Sequence, residues 1–267
     1  MTETQPTHSA MPAVNNVELL RIRAQALGLH GVVQNLSQCM DQPWLEQLLD
    51  WEEQQRKDRS LQRRISSAKL GSFKHLHDFD WSWASKGLDQ HLMRELMALD
   101  FLKEHGNVIF VGPSGVGKTT LAKNLAYQAV YAGYTALFKS ATDILNDLTS
   151  TDSGTALKRR LQAYAKIKLL VIDEIGYQSY DERHADLLFA LVNARHEVNS
   201  TLITTNLSFS QWADVLPTKS CVVAMIDRLT HRAEVFNIEA ESYRRKESRE
   251  RREQQNKRRR NAKKTSQ

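Results

Sequence analysis

The run Gly112-Pro113-Ser114-Gly115-Val116-Gly117-Lys118-Thr119 has the spacing G-x-x-x-x-G-K-[ST], and the chemistry this spacing serves is the holding of phosphate. Consecutive backbone N–H groups of such a loop turn inward around a triphosphate. Lys118 then reaches the β- and γ-phosphates, and the Thr119 hydroxyl becomes a ligand for Mg²⁺. Gly112, Gly115 and Gly117 supply backbone freedom and room for phosphate oxygens. The helix expected from Thr119 adds its positive dipole end, so the nucleotide-binding set runs from Gly112 through Thr120.

Two further segments end in polar groups. Residues 168–174, KLLVIDE, form an apolar strand that delivers Asp173 and Glu174 to the carboxyl end of a sheet, where ligands of open α/β sheets bind. Asp173 is expected to hold Mg²⁺ opposite Thr119, through the ion's water shell. Glu174 is expected to orient and polarise the water that attacks the γ-phosphate. Residues 202–206, LITTN, end a second apolar run. If that strand lies between the other two, Asn206 points at the γ-phosphate; a Thr-Asn pair at a strand end is otherwise turn chemistry. Residues 224–229, AMIDRL, read as helix. There Arg228 stands beside Asp227, either as a surface ion pair worth little or, in an oligomer, as a finger entering a neighbour's site.

These residues need strands and helices in alternation. The sequence predicts strands at 108–111, 135–138, 168–173 and 201–205. Helices are predicted at 119–132, through Ser150 after the second strand, and at 156–165 and 182–198. The alternation implies an α/β fold, a mainly parallel sheet with helices on both faces. Ahead of it, residues 14–75 carry helical periodicity through Leu19, Leu20, Ile22 and Leu27, then Trp44, Leu45, Leu48 and Leu49, and read as a small all-α domain. The boundary is expected near 71–78, followed by an amphipathic helix at 89–105. The ATPase part is expected at 76–243, between a disordered start (1–13) and a disordered tail (244–267). Phe79, Trp81 and Trp83 suit core or an adenine-pocket wall better than a base-stacking platform.

Composition narrows the setting. The chain has 267 residues, 41% hydrophobic, enough for a real core. Its start has no signal-peptide pattern, and no stretch approaches the roughly 18 apolar residues of a membrane span, so a soluble, cytoplasmic protein is expected. Cys39 and Cys221 form neither a disulfide framework nor a zinc set. His75 with His77, and His184 with His196, lack metal-ligand spacing. The net charge of +6 is concentrated at the end: residues 244–267 hold twelve Lys/Arg against three Asp/Glu, leaving 25 against 28 elsewhere. Such a tail is either a solubilising terminus or a polycation that binds nucleic acid by releasing counterions. A second basic stretch, 56–74, has seven Lys/Arg and one Asp, with Arg59, Arg63 and Arg64 expected to face outward from a packed helix. With Lys158 and Arg159, they are the candidate contacts to duplex DNA.

In order, GPSGVGKT, LLVIDEIGY, ITTN, IDRLTHRAEVFNI and ESYR resemble the IstB-like ATPases, transposition helpers of bacterial insertion sequences and relatives of the DnaC helicase loaders and DnaA within the AAA+ class. The resemblance covers about Leu19 to Lys246 and leaves the rest of the tail outside it. It implies an AAA+ P-loop fold, ATP and Mg²⁺ as ligands, and a homo-oligomer bridged by ATP. Arg228 becomes the trans-acting finger, Asn206 the sensor, and the helix near 142–148 part of an insertion lining a DNA channel. Duplex DNA and a transposase are the implied partners. Two rival readings use the same residues: a DnaC-like loader of a replicative helicase, and a DNA-binding protein that keeps ATP as a structural ligand without hydrolysing it.

Overall fold

A computed structural model of the chain describes residues 16–79, 81, 90–177, 179–217 and 219–240, with 242, 243, 245, 246, 248, 249 and 251–253 beyond them. The disordered start expected at 1–13, Trp83 and most of the basic tail lie outside the described residues. The chain divides into two compact units at Gln62 and Arg63, so the stretch 71–78 lies within the second.

The first unit contains α1 (Asn16–Ala26), α2 (His30–Gln34), α3 (Leu36–Cys39) and the greater part of α4 (Pro43–Ala68). Leu20, Ala24 and Leu27 fall on one face of the first helical segment and bury against Leu36, Cys39, Leu45 and Leu49. Arg23 donates to Glu53 at 2.7 Å and to Asp50 at 2.5 Å. Arg56 donates to the carbonyls of Ala26 and Leu27. A helix leaves its last carbonyls without intrahelical partners, and a cation near that end satisfies them and complements the dipole. Part of the basic stretch therefore caps a helix.

The second unit continues with α5 (Gln90–Met97), α6 (Asp100–Lys103), β1 (Asn107–Val111), α7 (Lys118–Tyr131), β2 (Ala136–Ser140), α8 (Ala141–Thr149), α9 (Gly154–Ala165), β3 (Leu169–Ile175), α10 (Glu182–Arg195), β4 (Ser200–Thr205), α11 (Trp212–Val215), α12 (Lys219–Thr230) and β5 (Ala233–Asn237). The single helix expected over 89–105 is broken: Leu99 takes a left-handed φ of 63°, which ends α5 and turns Phe101 and Leu102 inward. Arg64 is also unlike its expectation. It is half-buried and donates to the Val130 carbonyl at 3.2 Å, at the C-terminal end of α7, so it caps a helix where an outward-facing side chain was expected.

The five strands among the described residues are all parallel, in the order β2-β3-β4-β1-β5. The inner strands are covered on both faces, which is why Val108–Phe110, Leu169–Ile172 and Leu202–Ile203 are unbroken apolar runs at zero exposure. β5 was not expected. Its sequence AEVFN has too few apolar residues to announce a strand, and pairing with β1 along the sheet edge makes it one.

At the amino end of the sheet, Arg195 is 1% exposed. Its guanidinium donates to the carbonyls of Tyr164 (2.6 Å), Ala165 (3.3 Å), Ile167 (2.9 Å) and Ser200, and to the Thr201 hydroxyl (3.0 Å). Burial pulls its pKa down to about 9, which leaves it protonated at neutral pH. One side chain thus ties the end of α9 to the starts of β3 and β4.

Candidate nucleotide site

The phosphate loop bridges β1 and α7 at the carboxyl end of the sheet. Gly115 and Gly117 have φ of 86° and 102°, values that a side chain would strain. Space demands glycine as well: a Cβ on Gly117 would sit 2.9 Å from the Phe79 ring, and one on Gly115 would collide with Ser242. Lys118 is 8% exposed, and its Nζ donates to the carbonyls of Gly112 (2.6 Å) and Pro113 (2.8 Å). The ammonium is therefore held at the loop, close to where the sequence requires it.

Opposite the loop lies a bulge. Ile172 pairs with Ile203 but Ile175 pairs with Thr205, so β3 contains one residue more than β4 between those pairs, and the extra length is the Asp173-Glu174 step. Bulges re-aim side chains at a strand end. Here Glu174 adopts a left-handed φ of 61° and is exposed, whereas Asp173 stays buried at 6% exposure. The Thr119 hydroxyl donates to both Asp173 oxygens, at 3.0 and 3.1 Å, which joins the two residues expected to share a metal.

Thr204 binds the bulge together, a role the sequence did not reveal. Its hydroxyl donates to Asp173 Oδ1 at 2.5 Å and accepts from the Glu174 N–H at 2.9 Å. One hydroxyl therefore orients the buried carboxylate and satisfies the amide that the bulge takes out of the strand ladder. Thr205 works similarly one residue on, donating to the Ile175 carbonyl at 2.8 Å and accepting from the Leu207 N–H at 3.1 Å. The order of strands puts β4 between β1 and β3, so the condition attached to Asn206 is met and it lines the same cleft.

The space in the cleft, counted out to its open mouth, is about 910 Å³. It is lined by Ser114 to Thr120 of the loop, by Glu174 and Thr204 to Asn206, and by Lys74, Phe79, Tyr177 and Tyr243. Phe79 thus takes the position of a pocket wall, with the Trp81 ring 4.9 Å from its own. Asn124, from within α7, fixes that wall segment: it donates to the Lys74 carbonyl and accepts from the Leu76 N–H, both at 2.9 Å. Lys74, Asn124, Tyr177 and Tyr243 were missed because no spacing marks them; each belongs to the site only through tertiary packing.

Arg228 is not part of its own subunit's cleft lining. On α12 it donates to Asn193 Oδ1 and to the Ala224 carbonyl, both at 2.9 Å, and lies 5.0 Å from the centre of the Phe189 ring. Asp227 is not among those partners. Arg59, Arg63, Lys158 and Arg159 are exposed, and Arg59 reaches Glu52 at 3.8 Å. His184 pairs with Asp181 at 2.7 Å, and His196 meets His231 and Glu197 at the amino side of the sheet. Among the described residues, no helix is long and apolar enough to cross a membrane.

A parallel sheet in this order with a phosphate loop after β1 defines a P-loop ATP-binding protein of the AAA+ type. Residues 22–251 match the IstB-like ATP binding protein family, and the chain belongs to that family. It is 35% identical over 206 residues to the ATP-binding protein assigned to insertion sequence IS5376 of Geobacillus stearothermophilus, covering 77% of this chain and 82% of that one. Its identity to the corresponding protein of insertion sequence IS232 of Bacillus thuringiensis subsp. berliner is 32% over 243 residues, covering 90% and 96%. Among solved structures, AMPPCP-bound DnaA from Aquifex aeolicus superposes with a TM-score of 0.53 at 19% identity, covering 64% of this chain and 51% of that one, which is a likeness of fold.

Proposed function

We propose that this protein is an ATP-hydrolysing, DNA-binding transposition helper that oligomerises on duplex target DNA and directs or stimulates a transposase. The observation that carries the reading is the meeting of the phosphate loop with a bulged Asp-Glu pair in one cleft, in a chain whose relatives are ATP-binding proteins of insertion sequences. Lys118 exchanges its two loop carbonyls for the β- and γ-phosphate oxygens, a small movement for a side chain already held at the loop. Thr119 and Asp173 fit a hard cation, since a hydroxyl and a carboxylate already face each other at 3.0 Å. They would hold Mg²⁺ there, and the ion would supply positive charge against the transferring phosphoryl group. Glu174, exposed on the bulge, accepts the proton of the attacking water, and Asn206 fixes that water.

Arg228 supplies the missing positive charge to the neighbouring subunit's cleft. Its present bonds to Asn193 and Ala224 keep it half-buried, so assembly exchanges an internal contact for an intersubunit one. Duplex DNA is held through its phosphates by Arg59, Arg63, Lys158, Arg159 and the tail. A helper that marks target sites must bind almost anywhere, and backbone contacts serve that need without reading bases. The work takes place in the cytoplasm, where the target DNA lies.

A mixing experiment on duplex DNA tests this. Lys118→Ala and Arg228→Ala should each abolish hydrolysis alone. A head-to-tail interface pairs the intact loop of one variant with the intact arginine of the other in on the order of a quarter of sites, and that fraction of activity should return on mixing. Assembly of both variants on DNA without recovery would refute the trans assignment. A transposase retained by the wild-type complex with ATP and released by Lys118→Ala would support the helper role; retention of a replicative helicase in its place would favour the loader.

A further inference from the structure

The chain beyond β5 stays on the phosphate loop. Ile238 N–H donates to the Val111 carbonyl at 2.7 Å, next to the start of the loop. Ser242 lies against Gly115, and Tyr243 N–H donates to the Gly115 carbonyl at 2.9 Å. Lys74 Nζ donates to the Tyr243 hydroxyl at 3.2 Å and lies 5.2 Å from the ring centre, with Lys246 Nζ 5.9 Å from the same ring. The N–H groups of Arg245 and Lys246 donate to the Ser242 carbonyl at 3.0 and 3.2 Å, which begins a helical turn at that point. Both Lys74 and Tyr243 also line the cleft. The segment with twelve Lys/Arg between residues 244 and 267 therefore begins one residue after a contact with the loop that holds phosphate.

We propose that Ser242 and Tyr243 form a latch through which nucleotide in the cleft controls the grip of the basic tail on nucleic-acid phosphates. The inference rests on the cleft being an ATP site and deepens that reading by naming its regulated element. Phosphate fixes the loop, including the Gly115 carbonyl that receives the Tyr243 N–H. Nucleotide against Lys74 and Tyr243 then holds the root of the tail in its helical turn. Ordering the root beforehand removes part of the entropy cost of binding a polyanion, so nucleotide tightens DNA binding, and DNA tightens nucleotide binding by the same factor. Glycine at position 115 is required on both sides of this contact: its φ suits the loop, and its missing Cβ admits Ser242.

Limited trypsin digestion of the full chain reads the latch directly, with cut sites assigned by mass spectrometry. A non-hydrolysable ATP analogue should slow cleavage after Arg244, Arg245 and Lys246 by about tenfold, within the usual range of coupling between sites, and leave cleavage at 257–260 unchanged. The same analogue should lower the duplex Kd by a similar factor. Tyr243→Ala should reduce both effects to less than about twofold, and Lys74→Met, which leaves the Tyr243 backbone contact intact, should weaken them. Titration of the analogue in the same samples separates two kinds of failure. If it binds wild-type protein but cleavage after 244–246 does not change, the latch is wrong and the ATP site stands. Full wild-type protection in both variants would likewise overturn the latch. If the analogue does not bind, the ATP reading falls and the latch with it.

Discussion

The two ends of the same parallel sheet treat their charged groups in opposite ways. At the amino end, Arg195 is 1% exposed, and its donors are engaged by carbonyls and one hydroxyl of the fold. At the carboxyl end, Glu174 stands exposed on a left-handed residue, and the Lys118 ammonium donates to the Gly112 and Pro113 carbonyls of its own loop. A charged group saturated by the fold contributes to stability, whereas one held in place at the lining of a cleft is available to a ligand. Thr204 lies at the border between the two regimes: one bond orients the buried Asp173 and the other supports the backbone of Glu174.

Substitutions at the two ends should therefore separate activity from stability. Lys118→Ala should lower ATP turnover on the order of a thousandfold while moving folding stability by less than about 1 kcal/mol, measured by phosphate release and chemical denaturation. At the other end, Arg195→Met removes the shared donor of the Tyr164, Ile167 and Ser200 carbonyls and the Thr201 hydroxyl and should cost about 3 kcal/mol of stability, with the KM for ATP unchanged in the folded fraction. A rise in that KM would mean that the two ends are coupled. Thr204→Val should lower kcat by roughly ten- to thirtyfold with little change in KM, because it releases the bulge without touching the loop, and Thr204→Ser should restore the rate. Deleting 244–267 should have the smallest effect, a shallower dependence of duplex binding on salt with the fold intact. An unchanged salt slope would make the tail a solubilising terminus.

The sequence announced the parts of this site that rest on local spacing. GPSGVGKT has to be contiguous to wrap phosphate, and the apolar runs ahead of Asp173 and Asn206 are long because their strands are covered on both faces. What was hidden depends on neighbours distant in the chain. β5 is a strand only by pairing with β1, and Asn124 matters because the Lys74–Leu76 segment lies across it. Arg195 reads as an ordinary charged residue near the end of a helix until the carbonyls around it are in place. Arg56 and Arg64 were misleading for the same reason, since a count of positive charge does not distinguish a cation facing DNA from one capping a helix.

The role of Glu174 is tested most directly by the rate of ATP hydrolysis of Glu174→Gln, measured as phosphate release with saturating duplex DNA alongside nucleotide binding on the same preparation. The prediction is nucleotide affinity within about twofold of wild type and turnover lower by a hundredfold or more, because the substitution keeps the shape of the cleft and removes its proton acceptor. Turnover near the wild-type rate would contradict the assignment of the exposed bulge acid as the group that activates water.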